Sequence, residues 1–318
     1  MKGLWLQDRK MSFRSDLPLP ILEADEVLIK VLLAGVCSTD LEMLKGYYDF
    51  TGIPGHEFVG QVVDANGHPG LLGKRVIGDI NISCGECERC LQQETSQCMQ
   101  RRTLGIFDYN GVFAEYCKLP AKNLTVVPDS VSAVLAVFTE PTAAAMRILE
   151  QVQVKPSDRV IVVGAGRLGL LIAQVLKNTG CDLKVVVRRP EPATILTGLG
   201  IKAVYADEVR GELADIVVEV TGSPDGFDLS RSLTRARGTL VLKSTFAGDV
   251  SVNLSKVVVD EITLVGSRCG NYLAGLRALS SGLVQVGEMV DSVFSLEQGL
   301  DAIERAGQCG VLKILVKP

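Results

Sequence analysis

Between residues 159 and 173 the chain passes from an apolar run at 160–163, through glycines spaced G-x-G-x-x-G (Gly164, Gly166, Gly169), into a second apolar run beginning at Leu170. Few folds admit that order. A short strand with no polar face is buried on both sides, as the strands of parallel sheets are. The three glycines then have distinct tasks. Gly164 permits a tight turn out of the strand, Gly166 lets a pyrophosphate approach the start of a helix, and Gly169 lets that helix lie close on the strand. Arg167 and Leu168 open the helix between them. β-type runs at 184–187, 215–220, 238–242 and 262–265 alternate with helical or loop stretches. The pattern predicts an α/β, Rossmann-type, doubly wound parallel sheet that binds a dinucleotide.

The second strand bears on which dinucleotide. An NAD site carries an acid roughly 20 residues after the glycines, bound to a ribose hydroxyl. Here the run at 185–187 leads into Arg188 and Arg189, and the first acid is Glu191. Two guanidiniums suit a 2′-phosphate, so NADP is expected. In the alternative, an NAD site, the arginines are solvated and Glu191 turns back to the ribose. Thr221 and Ser244 follow the runs at 215–220 and 238–242, where the nicotinamide end would lie. Arg268 follows the next strand and is a candidate for a phosphate, with a plain surface arginine as the alternative.

At 318 residues the chain exceeds what one core usually organises, so two domains are expected. Residues before 140 read as short strands and turns, a β-rich, barrel-like domain. Within it Cys84, Cys87, Cys90 and Cys98 follow C-x2-C-x2-C-x7-C amid glycine and charged residues. So polar a loop has little to pack, and a metal would supply its folding energy; four thiolates close a tetrahedron around zinc. An iron–sulfur cluster uses similar runs but usually ends x3-Cys-Pro, which is missing. Free surface thiols are the plainest alternative. Nine cysteines, an odd number, fit a reducing compartment better than a secreted disulfide framework, and a cytoplasmic location is expected. No leader-like apolar segment is seen, and no run approaches the roughly 18 residues of a membrane span. A net charge of −4 without a basic run gives nucleic acid no handle.

One of only two histidines, His56, stands between Gly55 and Glu57 at a turn leading into an apolar strand. Imidazole and carboxylate at such a junction can ligate a metal. Alone, the pair reads more readily as a packed histidine beside a surface acid.

Together with the run Cys37, Ser38, Thr39, Asp40 and the pair Glu140, Pro141, these motifs make the sequence resemble the zinc-containing medium-chain alcohol dehydrogenase family. It is most similar there to the polyol, sugar and threonine dehydrogenase-like members, and the resemblance spans nearly the whole chain. It implies a GroES-like catalytic domain over 1–140 with a zinc lobe at 84–98, an NADP-binding domain over 141–268, and a return of 269–318 to the catalytic domain. It also implies a catalytic zinc on Cys37 and His56, with Glu57 and Glu140 competing for the third position, and a structural zinc on the four cysteines. Asp40 matches the carboxylate that orients the ligand histidine, and Thr39 the hydroxyl that passes a proton onward. The implied reaction is hydride transfer between NADP(H) and a small alcohol, polyol or sugar, or the matching carbonyl, in a homodimer or homotetramer; the alternatives are an NAD-dependent polyol dehydrogenase and a non-catalytic nucleotide-binding relative. Where such relays end at a second histidine, this chain offers only His68, in a Gly/Pro turn.

Overall fold

The computed structural model of the chain describes residues 1–245 and 251–318. Contacts divide it into two units, Met1–Glu140 with Met289–Pro318, and Pro141–Glu288.

The first unit opens on a hairpin of β1 (Gly3–Gln7) and β2 (Lys10–Arg14). The long strand β3 (Glu26–Gly35) is the axis of this unit. Its residues Val27, Ile29 and Val31 are buried while Lys30 between them faces water, the period of two expected of a strand with one wet face. After it come α1 (Ser38–Leu44), β4 (Glu57–Asp64) and β5 (Arg75–Gly78). The two-residue strands β6 (Asn81–Ile82) and β7 (Arg102–Thr103) pair at the base of the cysteine lobe, which holds the single-turn helix α2 (Glu88–Leu91). β8 (Tyr116–Pro120), β9 (Leu124–Val126), α3 (Ala133–Val137) and the first turn of α4 (Thr139–Gln151) complete this stretch.

The second unit alternates strand and helix as the sequence requires. In order these are β10 (Arg159–Val163), α5 (Arg167–Lys177), β11 (Asp182–Val187), α6 (Pro190–Gly198), β12 (Lys202–Tyr205), β13 (Ala214–Glu219), α7 (Pro224–Leu233), β14 (Thr234–Leu242), α8 (Leu254–Val259), β15 (Thr263–Gly266) and α9 (Tyr272–Ser280). The six strands are all parallel, in the order β12-β11-β10-β13-β14-β15. The chain therefore starts mid-sheet, winds out one way, then returns to wind out the other. The crevice at that reversal, beyond the carboxyl ends of β10 and β13, is where such sheets take ligands. Ile161, Val163, Val186, Val217 and Leu240 fill one core of this unit. β12 was not among the expected runs, because only Val204 of its four residues is buried and it carries no apolar signature.

The chain then re-enters the first unit as β16 (Val290–Ser295), α10 (Gly299–Gly307) and β17 (Lys313–Lys317). β17 lies parallel to β16 and antiparallel to β3, where it pairs with Ala34 and Gly35. The result is a seven-stranded sheet, β16-β17-β3-β4-β5-β9, with β8 paired to the other end of β3. The sequence suggested a return at 269; the structure keeps α9 and its successors with the parallel sheet as far as Glu288. Gln174 of α5 explains this. Its side chain donates to the Gln285 carbonyl at 3.0 Å and accepts from the Gln285 N–H at 2.7 Å, while Asn178 donates to the Leu283 carbonyl at 3.3 Å. No helix among the described residues is long and apolar enough to cross a membrane.

A Cβ added at Gly169 would lie 2.1 Å from the carbonyl oxygen of Gly164, a backbone atom that cannot turn aside. Gly169→Ala is expected to destabilise the second unit by about 1–3 kcal/mol, read as a lower urea midpoint at unchanged slope. An unmoved midpoint would mean that α5 can lift from the strand at no cost.

Candidate functional site

The cysteine lobe has almost no core of its own, since Cys98 alone is buried between residues 84 and 98. Its order must come from the sulfurs. Cys84 and Cys90 Sγ stand 3.8 Å apart, Cys87 and Cys90 3.5 Å, Cys87 and Cys98 3.8 Å, and Cys84 and Cys98 3.5 Å. A tetrahedron with zinc–sulfur bonds of about 2.3 Å has edges of about 3.8 Å. The four thiols thus fit one ion, with no room between them for a cluster of several irons. Backbone N–H groups of Met99 and Cys90 pull the Cys87 thiol down to about 6, toward the thiolate that a metal needs.

A second donor group forms where β3 and β4 meet. Cys37 follows β3 as the residue capping α1, and Asp40 turns back so that its Oδ2 accepts the Cys37 N–H at 2.8 Å. His56 occupies the turn before β4. Gly55 there has φ +93°, and a Cβ would meet the Phe113 ring at 2.8 Å, so the turn is closed to other residues. The ligand atoms of Cys37, His56 and Glu57 lie within 4.8 Å of one another, with His56 and Glu57 buried. His56 Nδ1 faces Asp40 Oδ1 at 3.5 Å, which leaves Nε2 for a metal. Neither of those two buried atoms has a hydrogen bond. Burial by itself would lower the His56 pKa, but the adjacent Asp40 and Cys37 outweigh it and hold the imidazole well above its usual value. Sulfur, imidazole and carboxylate, with no fourth His, Cys, Asp or Glu donor grouped with them among the described residues, match the open donor set of a catalytic zinc site. Thr39 is half-buried, with Oγ1 3.7 Å from Cys37 Sγ. Glu140, in the first turn of α4, is not one of the converging donors. His68 sits in a surface turn, 3.6 Å from Asp25.

The site contains a residue that sequence reasoning missed. Lys313, at the start of β17, bonds Glu57 Oε2 through Nζ, and both side chains are no more than 2% exposed. A lysine inside the apolar run at 311–316 was the available signal, because a cation so placed needs a buried counter-charge.

In the second unit Gly164 has φ +113° and nothing lies within 4 Å of where a Gly166 Cβ would be, so the head of α5 is open to a ligand. Arg167 and Leu168 form its first turn. Arg188 is exposed just past β11, and Arg189 is the half-buried cap of α6. Thr221 and Ser244 are brought together by Glu219, also missed, whose Oε1 accepts from Thr221 N at 2.8 Å, Thr221 Oγ1 at 2.6 Å and Ser244 Oγ at 2.9 Å. The Arg268 side chain is exposed; its carbonyl accepts a bond from the buried Lys243 at 3.0 Å.

Residues 23–129 match the alcohol dehydrogenase GroES-like domain, and residues 168–281 the zinc-binding dehydrogenase family. D-arabinitol dehydrogenase 1 of Uromyces fabae is 30% identical over 94% of this chain and 92% of its own. A zinc-binding dehydrogenase from Sinorhizobium meliloti 1021, bound to NADP, superposes with TM-score 0.90 at 26% identity over 100% of this chain and 99% of that one. An alcohol dehydrogenase from Escherichia coli CFT073 complexed with NADH gives the same TM-score of 0.90, identity of 26% and coverage of 100% and 99%.

Because His56 keeps its proton to a raised pKa without metal, zinc must displace that proton. Affinity should tighten as pH rises and weaken as it falls. Titration of zinc into the chelated protein should release protons, with a dissociation constant that falls as pH rises above the ordinary imidazole range. A flat profile would remove His56 from the ligand set.

Proposed function

The chain belongs to the family of zinc-binding medium-chain dehydrogenases, and within it we propose an NADP-dependent enzyme acting on a small polyol or sugar. At the coarser level it is an NAD(P)-dependent zinc alcohol/polyol dehydrogenase. The reading is carried by the convergence of Cys37, His56 and Glu57 on one buried spot. In it the first unit carries the reacting carbon and the second the dinucleotide.

Zinc, when bound, supplies a Lewis acid that polarises a substrate oxygen. Cys37, His56 and Glu57 hold it, and Glu57 rather than Glu140 is taken as the third ligand. Asp40 fixes the imidazole with Nε2 forward. Thr39 Oγ1 takes up the substrate's hydroxyl proton and passes its own toward the ribose and solvent. The open head of α5 receives the pyrophosphate, Arg188 and Arg189 the 2′-phosphate, and Thr221 and Ser244 the nicotinamide half, with Arg268 a further phosphate contact. An acid instead of cysteine at 140 and the relative named D-arabinitol dehydrogenase 1 favour a polyol. The NADH-bound relative favours a second reading, NAD with Glu191 on the ribose.

A homodimer is proposed through β15. That strand ends the sheet, and Val258, Val259 and Leu264 beside it are 74%, 79% and 38% exposed. Thiolate sites need a reducing compartment, and the cytoplasm is the proposed location.

Polyols, sugars and their carbonyls assayed with each dinucleotide test the substrate class, and no turnover with any of them would sink it. Replacing both Arg188 and Arg189 by Ala should raise KM for NADP by about tenfold or more and leave NAD little changed; an equal loss for both would favour NAD. Light scattering should give a dimer that Val259→Glu breaks, and a monomeric wild type would overturn the interface.

A further inference from the structure

A short run of chain joins the cysteine lobe to the turn that carries His56. β7 leaves the lobe after Cys98 and leads into residues 104–113, which fold over that turn. Gly105, at φ +65°, passes so close that a Cβ there would lie 2.1 Å from the Gly55 carbonyl oxygen, and a Cβ at Gly111 would lie 2.1 Å from the same atom. Asn110 Oδ1 accepts the Ile53 N–H at 2.9 Å. The N–H groups of Gly111, Val112 and Phe113 donate to the carbonyls of Ile53, Gly55 and Pro54 at 2.5, 3.1 and 3.0 Å. His56 is the next residue along the turn. The segment itself has little slack. The buried Tyr109 hydroxyl donates to the buried Glu26 of β3 at 2.5 Å, and its carbonyl accepts the Gly105 N–H at 2.8 Å. The Arg102 guanidinium of β7 lies 5.0 Å over the Tyr109 ring.

We propose that residues 103–113 form a brace that positions His56, so that a metal ion in the cysteine lobe acts at a distance on the second donor set. Cys98 alone is buried in the lobe, so the ion there fixes the direction in which β7 sets out. Gly105 then bears on Gly55 backbone to backbone, with no side chain between them to absorb a shift. Close-packed interiors transmit such strain. Only glycine permits both that φ and that approach at 105. Emptying the lobe should loosen β7, let the His56 turn drift and weaken the second site's hold on its ion; by linkage, filling the second site should tighten the lobe. Gly105, Tyr109 and Asn110 are thus positioning residues that act through the turn. This rests on the reading above that Cys37 and His56 hold a metal.

The test is the dissociation constant of the zinc that Cys37→Ser loses, measured against a chromophoric chelator. The visible spectrum of cobalt(II) exchanged into that site gives a second readout. With the lobe emptied by Cys87→Ser and Cys90→Ser together, that zinc should bind on the order of tenfold more weakly, and the cobalt bands should shift. Asn110→Ala, with the lobe loaded, should weaken binding in the same direction, while Asn110→Asp, which keeps the acceptor for Ile53, should behave as wild type. In the Asn110→Ala background, emptying the lobe should cost less affinity than it does in the wild type, because the link is already slack. If Cys37→Ser loses no zinc, the ligand reading itself fails. If emptying the lobe lowers the melting temperature but leaves the remaining zinc and its cobalt bands as in the wild type, the lobe only stabilises the unit and the inference is overturned. Full additivity of the two changes would also overturn it, since the coupling would then run through another route. Should the lobe variant not fold, Asn110→Ala alone decides, and zinc held as tightly as in the wild type would sink the brace.

Discussion

Charge cut off from water is the constraint around which the first unit is arranged. Asp40, His56, Glu57 and Lys313 are each no more than 3% exposed. An ion held in such a medium without a partner costs several kcal/mol, so each needs its answer from another element. Asp40 answers the N–H of Cys37 and faces His56; Lys313 answers Glu57. These partners come from the end of β3, the α1 turn, the head of β4 and the start of β17. The sheet registers that unite them are therefore fixed by electrostatics as well as by apolar packing. A slip of one residue in the β3–β17 pairing would turn Lys313 to the opposite face and leave Glu57 bare.

Much of this was legible in the sequence wherever chemistry demands a fixed spacing. Gly164, Gly166 and Gly169 must be close in sequence because one turn uses all three. The four cysteines must lie on one loop because they surround one ion. The alternation of strand and helix gave the parallel sheet, since buried parallel strands are apolar throughout. His56 with Glu57 could be read from the residues as a possible ligand pair, but Cys37 was legible as its partner only through the family resemblance, because no spacing ties one to the other.

Illegibility has equally physical reasons. β12 buries one side chain, too little for a pattern. Glu219 ends an otherwise apolar strand, and only the folded turn reveals the three donors that converge on it. The choice between Glu57 and Glu140 was open because both are acids at plausible places. Geometry sets Glu57 among the donors, and Lys313 beside it, through a contact that no local motif encodes.

The discontinuity of the first unit has a consequence for biogenesis. β3 and β4 emerge from the ribosome early, but β17 emerges only after the whole second unit has been made. Until then the β3 edge at Ala34 and Gly35 is unpaired, and the Glu57 carboxylate has no ammonium to meet. The buried ion pair between Glu57 and Lys313 can therefore close only at the end of synthesis, as one of the last steps in assembling the first unit.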